Sequence, residues 1–145
     1  MNDNSEQSFL DESCERYRII SELISDYAYA YQVGHNENLT LEWISGAFTR
    51  ITGFTPEEAE ARGGWEKLIH PEDLPIAQKR AEKMVAGEKD ISEFRIITKN
   101  GDVRWLRDHG IPEMSADGER IVRIIGAAQD ITEQVQAEAA QEASE

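Results

Sequence analysis

Residues 93–106 read Glu93-Phe94-Arg95-Ile96-Ile97-Thr98-Lys99-Asn100-Gly101-Asp102-Val103-Arg104-Trp105-Leu106. Two runs rich in branched and aromatic residues flank Asn100-Gly101, a dipeptide that readily supplies the positive φ of a tight hairpin turn. The stretch predicts two antiparallel strands, 91–98 and 103–111. Asp117-Gly118 marks a further turn, and a third strand follows over 120–129. Upstream, Tyr27-Ala28-Tyr29-Ala30-Tyr31-Gln32-Val33 alternates with period two, with an aromatic face and a small-residue face. A polar turn over 34–38 joins it to Leu39-Thr40-Leu41-Glu42-Trp43-Ile44, which alternates again and completes a hairpin.

Helical signals fill the space between these strand groups. Ser45 can cap a short helix carrying Phe48 and Ile51. Thr55-Pro56-Glu57-Glu58 is a strong helix start, with Thr at the N-cap, Pro at the first position and Glu at the third. Trp65 to Ile69 reads as one short turn. His70-Pro71-Glu72-Asp73 opens a helix that runs to about Ala86 and stops at Gly87. Two amphipathic segments flank the rest. Residues 8–24 put Tyr17, Ile20 and Ile24 on one stripe. Asp130-Ile131-Thr132-Glu133 opens a final acidic, Ala-rich helix, with Asp130 as its expected cap. The order implies an α+β fold built on an antiparallel sheet, with no internal repeat. The expected division is a flanking helix over 1–25, a core over 26–130 and an outgoing helix over 131–145.

Composition limits the function. The chain has 145 residues, enough for one ordinary domain. Its net charge of −14 disfavours phosphate backbones and anionic membrane surfaces. No apolar run approaches the roughly 20 residues of a membrane span. The acidic N-terminus lacks the features of a secretory signal. A single cysteine, Cys14, gives no intrachain disulfide and no multi-thiolate metal site. His35, His70 and His109 lack metal-ligand spacing. The expected location is therefore the cytoplasm, with no nucleic-acid partner, no direct membrane insertion and no metal.

Three stretches carry a resemblance. They are Phe48-Thr49-Arg50-Ile51-Thr52-Gly53-Phe54-Thr55-Pro56-Glu57-Glu58, then Leu68-Ile69-His70-Pro71-Glu72-Asp73, and then the 93–106 hairpin followed by Gly126 and Asp130-Ile131-Thr132. In this order, over about 26–133, the chain resembles the PAS (Per-Arnt-Sim) sensory family with its C-terminal PAC-type strands. The resemblance implies a five-stranded antiparallel sheet with short helices on one face, enclosing a small cavity. It implies a sensory or regulatory module of a signal-transduction protein, such as a sensor histidine kinase of a two-component system. A ligand-free dimerisation scaffold is the alternative.

The same resemblance suggests where to look for a site. Phe94, Ile96, Leu106, Ile124, Gly126 and Ala128 are expected to line the cavity from the strands. Phe48, Ile51, Leu68, Ala81 and Met84 are expected from the helices, and Leu41 and Trp43 from the far wall. Small residues, Ala30 among them, leave room for an unidentified small apolar or aromatic ligand; a dry, filled core is the other reading. Arg95, Asp130, Ile131 and Thr132 are the expected signal relay, with plain helix capping as the bland role for the last three. Arg95 is placed to pair with an acidic neighbour such as Asp130, or to form an ordinary surface ion pair. Tyr27, Tyr29 and Tyr31 are expected to face outward, with Trp105 and Ile125 beside them. With Tyr17, Ile20 and Ile24, these tyrosines are the candidate homodimer interface.

Cofactors are not expected. The light-sensing branch of the family uses a cysteine near the short middle helices to attack a flavin, and residues 61–66 contain none. It also holds the flavin with amides at positions that here are Ile96, Leu106 and Ala128. A haem ligand is expected along the helix after His70, where only Ala77, Ala81 and Met84 are offered. Catalysis is not expected either: His70, Asp73 and Asp108 are the acid–base residues available, and nothing beside them completes a mechanism.

Overall fold

The computed structural model describes residues 27–36 and 38–144. The expected first helix, with Cys14, Tyr17, Ile20 and Ile24, lies outside the described residues. The sheet contains β1 (Tyr27–Val33), β2 (Leu39–Ile44), β3 (Asp90–Ile97), β4 (Val103–Met114) and β5 (Ile121–Asp130), in the spatial order β2-β1-β5-β4-β3. All neighbouring strands are antiparallel. The long crossover from β2 to β3 carries α1 (Ala47–Thr52), α2 (Pro56–Ala61), two 3-10 turns (Trp65–Leu68 and Pro71–Asp73) and α3 (Leu74–Val85). The outgoing helix is α4 (Thr132–Ser144). The class, and the element order from Tyr27 onward, match the sequence reading.

Local chemistry explains the elements. Gly101 adopts φ +88 in the β3–β4 turn, a conformation open to glycine without strain. At α2 the capping box forms in full. Thr55 Oγ1 accepts the Glu58 amide at 3.1 Å, and Glu58 Oε1 accepts the Thr55 amide at 3.1 Å. Ser45 behaves differently from expectation. Its hydroxyl is buried against β1 and accepts the Ala28 amide at 3.0 Å, leaving Gly46 at the N-cap of α1. β4 also runs three residues beyond the expected end. It continues through Pro112 because β3 stops opposite Gly110, so the missing proline N–H has no partner strand to disappoint on that side.

The largest correction concerns β1. Tyr27 and Tyr29 are buried in the core, and Tyr31 packs against it. The tyrosines therefore point toward the helices, while Ala28 and Ala30 sit on the opposite face. Ala30 pairs with Ile125, placing Ile125 on that other face, away from the tyrosines. Period two fixes two faces without saying which is inner. The choice is made by β5: Tyr29 pairs with Gly126, and a Cβ on Gly126 would lie 2.2 Å from the Tyr29 ring. The bare glycine gives the ring its place. Tyr27, Tyr29 and Tyr31 are thus withdrawn from any exposed dimer surface.

A second correction follows from a bulge. The β1–β2 register shifts between Ala30 and Tyr31, so Tyr31 pairs with Leu41 while Ala30 pairs with Trp43. Leu41 and Ile44 then share the inner face, and Trp43 is turned to the outer one.

Candidate functional site

The inner face of the sheet, α3 and the short helices enclose a cavity of about 570 Å³. That lies within the range of small-molecule sites. Of the expected lining residues, Leu41, Phe48, Ala81, Met84 and Ile124 lie on its wall. The others do not. Leu68, Phe94, Ile96, Leu106 and Ala128 belong to the hydrophobic core, which also contains the wall residues Tyr27, Tyr29 and Phe48 and so backs onto the cavity, with Ile51 packed against it. Gly126 is covered by the Tyr29 ring, and Trp43 faces away.

The residues missed by the sequence reading form the polar part of the wall. Tyr29 donates its hydroxyl proton to Asp108 Oδ1 at 2.8 Å. Arg80, reaching down from α3, donates through Nη2 to the Tyr29 hydroxyl at 3.1 Å and lies 3.0 Å from Asp108 Oδ1. Its Nη1 donates to the Asp108 carbonyl at 2.8 Å and to Asp90 Oδ2 at 3.1 Å. Lys83 meets the other oxygen of Asp90 at 3.4 Å from the solvent side. Ser92 also donates to Asp90.

Glycines make this convergence fit. Gly110 and Gly126 are opposite one another on β4 and β5. A Cβ on Gly110 would meet the end of Met84 at 1.8 Å and Arg80 Nη2 at 2.6 Å. The two bare positions let Tyr29 from β1 and Arg80 from α3 lie across the sheet and meet over Asp108. An alternation of Gly110 with Asp108 on one strand, and Gly126 opposite, was the available signal for a crowded inner face.

Burial sets the protonation behaviour. It pushes the Asp108 carboxyl up to about 6, against the opposing pull of Arg80 and the Tyr29 hydroxyl. Tyr27 and Tyr29 are raised well above the ordinary phenol value, first by burial and then by the charge of Asp108. Burial, with Glu60 and Asp108, pushes Tyr31 to about 12. Burial opposes the charge of Arg80, but Asp108, Tyr29 and Asp90 outweigh it and raise its pKa. Asp90 is lowered: burial works against its charge, and Ser92, Arg80 and Lys83 prevail.

The expected relay residues separate into two groups. Arg95 does not pair with Asp130. Its Nε and Nη2 grip Asp73 at 3.0 and 2.7 Å, and its backbone amide donates to Asp73 Oδ2 at 2.7 Å. Nη2 also reaches Glu72 at 3.1 Å. The antiparallel pairing puts Arg95 opposite Trp105, and its guanidinium sits 5.4 Å from the Trp105 ring centre. Asp130 pairs instead with Arg104 at 3.3 Å, since both lie at the α4 end of their strands. Asp130 also differs from its expected cap position. It remains in β5, and its Oδ1 accepts the Thr132 amide at 3.0 Å and the Thr132 hydroxyl at 2.5 Å. Thr132 Oγ1 accepts the Trp105 amide at 2.8 Å, and the Ile131 amide donates to the Trp105 carbonyl at 2.9 Å. Ile131 is buried beneath this junction.

The histidines have other partners. His70 Nδ1 accepts the Glu72 amide at 3.1 Å and so caps the following 3-10 turn. His35 lies 3.0 Å from Arg120 at the cavity rim. Among the described residues no group of three or more His, Cys, Asp or Glu is arranged to hold a metal. Among them too, no helix is long and apolar enough to cross a membrane.

A five-stranded antiparallel sheet closing on short helices around a cavity, with an outgoing helix bonded to a central strand, has the architecture of a sensory domain. Comparison with known proteins agrees. The PAS fold profile matches residues 42–128. A blue-light-activated histidine kinase of Brucella ovis is 33% identical over 117 residues, 77% of this chain. The chain spans 23% of that relative's length. A sensory box histidine kinase/response regulator from Burkholderia thailandensis shares the fold with TM-score 0.67 and 21% identity, over 89% of this chain and 94% of the other. The N-terminal domain of a diguanylate cyclase with PAS/PAC sensor from Marinobacter aquaeolei does so with TM-score 0.65 and 18% identity, over 75% and 97%. The chain belongs to the PAS family, and it is a sensory module of the signal-transduction type.

Proposed function

We propose that the chain is the sensing segment of a larger cytoplasmic signalling protein, and that it responds to a small molecule held in the cavity. Residues 26–130 act as the sensing core and 131–145 as the output helix. The observation that carries this reading is the cavity of about 570 Å³ walled by Tyr27, Tyr29 and Tyr31. A filled-core scaffold would have no use for an open cavity with three tyrosines along its wall. The junction of Trp105 with Ile131 and Thr132 is the route by which the sheet bears on α4.

The module works as a binder and not as a catalyst. Asp108 is held by Tyr29 and Arg80, Asp73 by Arg95, and His70 by its own turn. Flavin–thiol photochemistry does not fit the cavity wall, where the described residues include neither a cysteine nor an Asn or Gln amide. A histidine kinase is the favoured effector, and a homodimer the favoured assembly, both by kinship with the family.

Native mass spectrometry of freshly purified protein, with an absorption spectrum of the same sample, tests the reading. Extra mass per subunit that is lost on denaturation is the expected result. A bare subunit that gains no mass from any small-molecule extract would instead favour the ligand-free scaffold. Absorbance beyond the protein band would overturn the absence of flavin and haem.

A further inference from the structure

The polar end of the cavity has unused hydrogen-bonding capacity. Asp108 Oδ1 receives the Tyr29 hydroxyl and faces Arg80 Nη2. Asp108 Oδ2 receives no hydrogen bond from any described residue, although the side chain is 3% exposed and lies on the cavity wall. The hydroxyl of Tyr27, on the same wall, has no hydrogen-bond partner among the described residues either. The two face each other across a row of the sheet: Asp108 is opposite Ala128, and Ala128 is opposite Tyr27. Ala128, between them on β5, adds only a methyl group. A carboxylate oxygen open to the cavity can accept a bond from a bound group that brings a donor.

The charge balance narrows what that group is. Arg80 and Lys83 offset Asp90 and Asp108 within one cluster. The cluster therefore calls for neither a cation nor an anion. Around the rim the exposed Glu60, Glu66 and Glu119 oppose anions. The body of the cavity is aromatic, with Tyr27, Tyr29, Tyr31, Phe48 and Trp65 on its wall, which suits a flat ring.

We propose, resting on the small-molecule reading above, that this cavity selects uncharged aromatic compounds carrying a hydroxyl or ring N–H, seated with that donor on Asp108 Oδ2. Tyr27 completes the seat: its hydroxyl can donate to the ligand oxygen while that oxygen gives its proton to Asp108.

Two probes of the same ring separate this inference from the broader one. 2-Naphthol has a donor, and 2-methoxynaphthalene has an acceptor alone. Calorimetric titration of the whole chain, above the Asp108 titration, should give at least tenfold tighter binding of 2-naphthol. Asp108→Asn would keep an oxygen for Tyr29 and Arg80 and turn an NH2 group toward the cavity. In that variant the preference should collapse or reverse. Tyr27→Phe, which removes a hydroxyl without a protein partner, should fold normally and narrow the gap severalfold. Equal binding of both probes to the unmodified chain, or tighter binding of 2-methoxynaphthalene, would overturn the donor seat while leaving the cavity reading intact. Binding of neither would overturn both.

Discussion

Trp105 and Thr132 are bonded backbone to side chain: the Trp105 amide donates to Thr132 Oγ1 at 2.8 Å. The carbonyl of the same tryptophan accepts the Ile131 amide at 2.9 Å. One residue of β4 thus holds both residues at the start of α4. Thr132→Val keeps the shape and deletes the acceptor, leaving the Trp105 amide unpaired. The expected cost is about 1 to 3 kcal/mol. Hydrogen exchange should show Trp105 and the first turn of α4 losing protection before the rest of the sheet.

The Asp108 carboxyl gives a pH dependence of definite sign. Its folded value, about 6, lies above its ordinary 3.8. Between the two, the folded chain binds more protons than the unfolded chain, so stability falls as pH rises. Relative to Asp108→Asn, the unmodified chain should lose on the order of 3 kcal/mol from about pH 4 to about pH 7. Urea unfolding of both proteins across that range checks it. A difference that stays flat or grows with pH would contradict the assignment.

Asp73 behaves in the opposite sense. The Arg95 guanidinium and amide hold its carboxyl below the ordinary value. Its contribution is present above the unfolded value and lost as pH falls through the folded one. The stability gap between the unmodified chain and Asp73→Asn should therefore be full at neutral pH and shrink in acid. Salt should reduce the gap modestly, because Arg95 is one-quarter exposed.

Gly126→Ala should be among the costliest single-methyl changes in the chain. The new Cβ would stand 2.2 Å from the Tyr29 ring. Displacing the ring breaks its bond to Asp108, and a loss of at least about 1 to 3 kcal/mol is expected. In a Tyr29→Ala background the same change should cost much less. Thermal unfolding of the four proteins in that cycle measures the coupling.

Much of the architecture could be read from short-range chemistry. Asn100-Gly101, the Thr55–Glu58 box and the alternation of β1 each specify a local geometry that tertiary packing leaves in place. The facing of β1 could not be read this way. Tyr-Ala-Tyr-Ala-Tyr states that two faces differ, but which one is inner depends on Gly126, almost one hundred residues away in the chain. The bulge beside Ala30 similarly moved Trp43 off the face it shares by count with Leu41. Arg80 and Asp108 were harder still. On its own element each looks like a surface charge, and only the register of four strands brings them together. Among the candidate lining residues, Leu41, Phe48, Ala81, Met84 and Ile124 stand on the cavity wall. Phe94 and Leu106 are interior but pack in the hydrophobic core, and Trp43 faces outward.

The facing pair Gly110 and Gly126 also has a mechanical meaning. Across most of a sheet, opposed side chains resist shear and bending of the strands beneath them. Here two adjoining strands carry no side chain of their own at the same level, and the Tyr29 ring, Met84 and Arg80 fill the space instead. The β4–β5 ribbon therefore takes its bracing there from β1 and α3. Tyr29 and Arg80 rest on this level, and β4 leads from it to Trp105. In the relay proposed above, a ligand that shifts Tyr29 or Arg80 would therefore be felt by both strands at once and, along β4, at the start of α4.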